Sequence, residues 1–217
     1  MKLCIEHLSK KYGDLAVLQD LCLTMDQDTC YCLMSPSGSG KTTFLRILMG
    51  LEEADEGRIF TQGEPKWPLK ISAVFQEDRL CPSFSPLENV QMVLKEKWPE
   101  EKLVQAMTRL LPEECLTRPV STLSGGMKRR TAILRAVLAP SHMLLMDEPF
   151  TGLDEALKHE VIRCILENRR DRFLLITTHQ EEDVGLLGGV RIRLDQDLFI
   201  TGKFSAAGEP DPDQRQD

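Results

Sequence analysis

Ser35-Pro36-Ser37-Gly38-Ser39-Gly40-Lys41-Thr42-Thr43 follows an apolar run ending at Leu33-Met34 and opens a stretch with the apolar period of a helix. A strand, a small-residue turn and a helix in that order read as a phosphate-binding loop. Small residues let successive backbone N–H groups curl around an anion, Lys41 neutralises terminal phosphates, and the Thr42 hydroxyl suits Mg²⁺. The helix that follows points its positive end at the same place. The usual pattern begins with Gly six residues before the Lys, where this chain has Ser35. That residue is a cost only if the position needs φ > 0, because its side chain is too small to exclude phosphates.

Met143-Leu144-Leu145-Met146-Asp147-Glu148-Pro149 is an apolar strand ending in two adjacent carboxylates. Beside a phosphate loop, this is the place for a metal ligand and a proton acceptor. Asp147 is expected to hold Mg²⁺ directly or through water, and Glu148, one residue further out, to take a proton from water attacking a γ-phosphate.

The whole chain sets limits on the alternatives. Its 217 residues suit one sizeable α/β domain or a core carrying a small subdomain. With 27 Lys+Arg against 34 Asp+Glu the formal charge is −7, which argues against nucleic acid as a partner, since that binding depends on neutralising phosphates. No apolar run approaches the ~18–20 residues that span a bilayer, and Met1-Lys2-Leu3-Cys4 leads into a strand without a signal-peptide core, so a cytoplasmic protein is expected. Seven cysteines, among them Cys4, Cys22, Cys30, Cys32 and Cys164 in apolar contexts and with no CxxC pair, read as reduced core thiols.

Along the chain, Lys2 to Leu8 and Ala16 to Met25 alternate as strands around a turn at Tyr12-Gly13-Asp14, an antiparallel edge region. Thr42 to Met49 is expected to be a helix stopped by Gly50, and Ile71 to Phe75 a strand. Prolines 82, 86, 99, 112 and 119 then separate short helical patterns, one of them Leu103, Ala106, Met107, Leu110 and Leu111. After Ser124 a helix runs to Pro140, Glu155 to Asn168 is helical, and Phe173 to Thr178 is a further strand. Alternating strands and helices imply class α/β with a mainly parallel sheet, here with an antiparallel β edge region and a small inserted α-helical subdomain. With the phosphate loop at its centre, the expected core is that of a P-loop NTPase. The expected division is a single domain over residues 1–205, with core segments 1–80 and 121–205 and helical subdomain 81–120. A polar, Pro-broken tail over 206–217 is expected to be disordered.

Leu123-Ser124-Gly125-Gly126-Met127 resembles the signature of the ATP-binding cassette (ABC) family, normally Leu-Ser-Gly-Gly-Gln. The resemblance extends, in order and spacing, from about Lys2 to Glu182. Tyr12 matches the family's adenine-stacking aromatic, Gln76 its glutamine loop, Asp154 in Thr151-Gly152-Leu153-Asp154 its aspartate loop, and His179 its switch histidine. The resemblance implies ATP and Mg²⁺ as cofactors, with ATP held by Tyr12, Ser35 to Thr43 and, from the partner chain, Leu123 to Met127. It implies Mg²⁺ at Thr42, Gln76 and Asp147, and catalysis by Glu148, His179, Gln76 and Lys41. Met127 departs from the pattern by removing an amide. Gly185, Gly188 and Gly189 depart from the family's Ala-rich helix and strand.

The family mechanism implies a homodimer, or a paired ABC ATPase subunit, closing on two ATP molecules and driving separate integral membrane permease subunits at the inner face of the cell membrane. Residues Gln76 to Asn89 are the candidate permease contact, with Leu80, Pro82, Phe84 and Leu87 either supplying it or packing the subdomain. Phe75-Gln76-Glu77-Asp78-Arg79-Leu80 resembles the nitrate, sulfonate and taurine importer branch, and import of a small solute, delivered by a solute-binding protein through the permease, is the expectation. An exporter or lipid-extraction motor uses the same nucleotide chemistry and remains the alternative, with a non-transport ABC ATPase behind it.

Overall fold

The computed structural model describes residues 1–194. The expected tail, and the last part of the expected core segment, lie outside the described residues.

The chain opens with two long strands, β1 (Lys2–Tyr12) and β2 (Leu15–Asp26), joined by a hairpin turn at Gly13-Asp14 and paired antiparallel. Then come the short buried strand β3 (Cys30–Leu33), the loop, and α1 (Lys41–Leu48), after which Gly50 takes φ +67° and ends the helix as expected. A strand that the sequence reading passed over, β4 (Glu56–Gln62), pairs antiparallel with β1 and completes a three-stranded sheet of order β2-β1-β4. Gly57, with φ +92°, is required there. A Cβ on it would lie 2.5 Å from the His7 carbonyl oxygen, so only glycine lets β4 pass the irregular middle of β1.

β5 (Ile71–Val74) leads into the proline-punctuated segment, which holds α2 (Pro86–Gln91), α3 (Glu100–Met107) and two single 3₁₀ turns. The α3 pattern was expected to reach Leu111. The helix instead stops at Met107, and Leu110 and Leu111 are buried in the turn beyond it. The Leu110 N–H bonds back to Met107, and Pro112 keeps Leu111 from continuing a helix. Pro86 at the first helical position and a reciprocal capping box between Ser85 and Glu88 fix the start of α2. The remaining elements are α4 (Gly125–Leu138), β6 (Met143–Asp147), α5 (Glu155–Arg169), β7 (Phe173–Thr177), α6 (Glu181–Leu186) and β8 (Val190–Ile192).

β5, β6, β7, β3 and β8 form one parallel sheet in the order β5-β6-β7-β3-β8. Its strands are apolar on both faces, and their alternation divides the molecule into two cores. Cys30, Cys32, Leu144, Met146, Leu174 and Ile176 face a cluster built with α4, α5 and the proline-rich segment. Tyr31, Leu33, Met143, Leu145, Phe173 and Leu175 face a second cluster, completed by Phe44, Leu45 and Leu48 of α1 and by the three-stranded sheet. Helices α1 and α4 therefore pack on opposite faces of the parallel sheet. The glycines after Val184 do not abolish the last strand. Gly188, at φ +56°, ends α6, and Gly189 sits where a Cβ would be 3.0 Å from Cys32 Sγ, so the chain can enter β8 against β3.

All seven cysteines are free, and Cys4, Cys30, Cys32 and Cys164 are buried as expected. Cys22 departs from the expectation. It is only half-buried, at an irregularity in the β1–β2 ladder.

Candidate functional site

Between β3 and α1 the loop takes the left-handed backbone at Gly38 (φ +80°) and Gly40 (φ +90°). At Gly40 there is also no room for a side chain, because a Cβ would lie 2.8 Å from the Val17 carbonyl of β2. Ser35 is not among the left-handed residues, so replacing the usual glycine carries no backbone cost. Its buried hydroxyl instead accepts a 2.7 Å hydrogen bond from the Leu194 N–H, a tie that glycine could not make. Ser39 Oγ is buried without a protein partner, and Lys41 Nζ donates to the carbonyls of Ser35 and, at 2.9 Å, Pro36. An orphaned hydroxyl and an ammonium resting on its own loop are the donors a phosphate chain would engage at the start of α1.

The parallel pairing of β6 with β7 sets Asp147 opposite Thr177. Thr177, fully buried, donates to Asp147 Oδ1 at 2.7 Å and accepts from the Glu148 N–H at 2.8 Å. One hydroxyl thus holds the side chain of the first acid and the backbone of the second. Glu148 has φ +48°, an uncommon conformation for a non-glycine residue, and its Oε1 lies 2.9 Å from His179 Nε2. The base and the histidine named from the sequence are therefore in contact.

Thr42, Gln76 and Asp147, the three residues assigned to Mg²⁺, line one cleft of about 190 Å³ together with Leu45, Phe75 and Arg79. A hydroxyl, an amide and a carboxylate can offer an all-oxygen donor set, which fits a hard, small dication. Tyr12 stands exposed at the hairpin end, its hydroxyl donating to Glu52 and Lys10 Nζ lying 5.7 Å from its ring centroid. Ser124 caps α4 by accepting from the Met127 N–H at 3.3 Å, and Asp154 caps α5 by accepting from the Leu157 N–H at 2.9 Å. Met127 packs partly buried against the first core cluster. Leu123 is buried just before this turn.

Several residues that the sequence reading did not single out hold these groups in place. Arg129 of α4 donates at 2.6 Å to the carbonyls of both Phe75 and Gln76, and pairs with Asp78 at 3.3 Å. Lys158 of α5 is almost fully buried. It donates to Gln180 Oε1 at 3.0 Å and forms an ion pair with Asp183 Oδ1 at 3.4 Å, while Asp183 accepts from the Thr178 hydroxyl. Both neighbours of His179 are thereby fixed. Burial pulls the Lys158 pKa down, but Glu155 and Asp183 outweigh it, and the group stays charged with its pKa above the ordinary value. The only signal in the sequence was polar residues inside apolar helices and at a strand end.

Of the four residues proposed for permease contact, Leu80 and Leu87 pack against the core while Pro82 and Phe84 are exposed. Asn89, fully buried, holds this loop by accepting from the Cys81 N–H and donating to the carbonyls of Cys81 and Ser85.

The family model described as ABC transporter matches residues 18–151. The chain is 33% identical, over 95% of its length, to the spermidine/putrescine import ATP-binding protein PotA of Aggregatibacter actinomycetemcomitans, of which it spans 57%. It is 34% identical, over 96% of its length, to the Nod factor export ATP-binding protein I of Ralstonia nicotianae, of which it spans 67%. In fold it matches the ATP-binding cassette MJ0796, solved as a dimer in a post-hydrolysis state with ADP and Pi. That match has a TM-score of 0.76 at 23% identity and covers 88% of this chain and 93% of that one. A family model over residues 18–151 and relatives matched along nearly the whole chain place this protein in the ABC transporter family.

Proposed function

We propose that this protein hydrolyses ATP to ADP and phosphate as the motor subunit of a membrane transporter whose solute path lies in separate permease subunits. The observation that carries the reading is the contact between Glu148 and His179 at the end of β6, beside the cleft shared by Thr42, Gln76 and Asp147. In this reading Lys41 and the loop N–H groups hold the β- and γ-phosphates. Mg²⁺, bound by the oxygens of Thr42, Gln76 and Asp147, would neutralise charge on those phosphates. Glu148 accepts the proton of a water that attacks the γ-phosphorus as the bond to the ADP oxygen breaks, and His179 holds that carboxylate in line.

The start of α4 supports a partnership between two chains. Gly125 and Gly126 have nothing within 4 Å of a built Cβ, so no packing within this chain demands glycine there. Two side-chain-free N–H groups at the start of a fourteen-residue helix suit close approach by an anion from outside, here the ATP held by the facing chain. The partner is then a second copy or a paired ABC subunit. Among the described residues no helix is long and apolar enough to cross a membrane. In this reading the subunit sits peripherally on the inner face of the cell membrane, held there by the permease.

Import of a small solute is the preferred direction, supported by the polyamine-import relative and by the likeness of Phe75 to Leu80 to one importer branch. Export is the second reading, favoured by the equally similar Nod factor relative. The test of the chemistry is Glu148→Gln. Turnover should fall by about 10²–10⁴-fold, the usual worth of a positioned proton acceptor, with MgATP binding retained. Turnover unchanged in that variant would remove Glu148 from the role.

A further inference from the structure

His7 and Asp20 face each other across β1 and β2 where the ladder slips, with register shifts on both sides of Leu8. Both residues hold the left-handed backbone, at φ +54° and +50°, and are exposed. Cys22 lies two residues further along β2, half-buried. His7 Nδ1 lies 2.6 Å from Asp20 Oδ1 and 3.9 Å from Cys22 Sγ, and the three donor atoms lie within 4.8 Å of one another. Among the described residues no other trio of His, Cys, Asp or Glu meets that spacing.

We propose that His7, Asp20 and Cys22 form a three-ligand site for a borderline divalent transition metal, Zn²⁺ first among them. This goes beyond the nucleotide chemistry and does not depend on it. An imidazole nitrogen, a carboxylate oxygen and a thiolate match the N, O and S donors that Zn²⁺ accepts, whereas Mg²⁺ and Ca²⁺ take oxygen alone.

The spacing is within reach of such an ion. Bonds of about 2.0–2.3 Å to a tetrahedral ion set donors about 3.3–3.7 Å apart. The imidazole–carboxylate pair must open by less than about 1 Å and the thiol must close in, which side-chain rotation at an exposed edge allows. A metal at Nδ1 would leave the imidazole proton on Nε2, and the Cys22 thiol would give up its proton to bind as thiolate, so binding should release a proton. Solvent supplies the fourth position. The backbone does not have to be reorganised, because the Ser9 hydroxyl receives the Asp20 N–H and Cys22 Sγ receives the His7 N–H in the present arrangement. Since two ligands come from β2 and one from β1, the ion would brace the hairpin across its irregular middle.

The probe is Co²⁺ alone, titrated into the nucleotide-free full chain under reducing conditions. One equivalent should give a thiolate-to-cobalt charge-transfer band with tetrahedral d–d absorption, and Zn²⁺ should bleach both. Cys22→Ser should abolish the charge-transfer band. His7→Asn and Asp20→Asn, chosen because Asn tolerates the left-handed backbone, should weaken binding by more than the ~10–100-fold that follows loss of an outer partner of a metal ligand. Retained MgATP binding shows that each variant is folded. No thiolate band at one equivalent of Co²⁺, or a band that survives Cys22→Ser, overturns the assignment.

Discussion

Thr177 does more for the candidate site than its place at the end of an apolar strand announces. It holds Asp147 by the carboxylate and Glu148 by the backbone N–H, and it is fully buried. Thr177→Val keeps shape and removes both bonds, leaving a partly buried N–H and one carboxylate oxygen without their partner. We expect stability to fall by about 1–3 kcal/mol, the cost of an unpaired buried polar group, read from the denaturant midpoint. Hydrolysis should fall with it while ATP binding persists. A variant as stable and active as the parent would mean that other contacts hold the acids. At this scale the linear motifs were legible, because the phosphate loop and the acid pair each carry their chemistry in consecutive residues. Thr177 was not, since it acts on residues 29 and 30 positions away through a strand pairing that no local pattern encodes.

The elements link the site's parts mechanically. Helix α4 carries the signature residues at its start and, one turn later, Arg129, whose guanidinium holds the carbonyls of Phe75 and Gln76. Further along, Arg135 donates to the carbonyls of Arg79, at 3.0 Å, and Asp78, at 3.3 Å. Any shift of α4 against β5 is therefore passed to the glutamine we assign to the metal and γ-phosphate. Arg129→Met should leave ATP affinity near that of the parent and lower turnover by about tenfold, equivalent to ~1.4 kcal/mol and below the usual worth of one charged hydrogen bond. Lys128→Met, at the adjoining position, is the control. Equal kcat and KM for both variants and the parent would show that the arginine fixes the loop without bearing on catalysis. The helix itself was legible from its apolar period and its Ser124 cap, but not its arginine clamp, which spans more than fifty residues. Element ends were less legible. Leu110 and Leu111 keep helical spacing but lie beyond α3, and β4 escaped notice because only Ile59 and Phe60 in Glu56–Gln62 are bulky and apolar.

On the scale of the whole molecule, the alternation of apolar strands with amphipathic helices made the α/β class readable, but the strand order β5-β6-β7-β3-β8 could not be read from any run of residues. That order matters because it puts α1 and α4 on opposite faces of one sheet. Each helix start suits an anion, and with a sheet between their bodies the two are not built to close on one ligand within a chain. In the arrangement we propose, a facing copy resolves this, because its α4 start would meet the phosphates held at the first copy's α1. The prediction uses Glu148→Gln, which is expected to bind MgATP without consuming it, so that a closed state accumulates. Light scattering after size exclusion should give a dimer with MgATP and a monomer without it. Adding Ser124→Arg puts a bulky cation where the facing phosphates would sit and removes the α4 cap, so the double variant should stay monomeric while a nucleotide titration still shows binding at α1. A dimer that forms equally without nucleotide, or that survives Ser124→Arg, would mean that the chains meet through a different surface and that the start of α4 is not the second half of the ATP site.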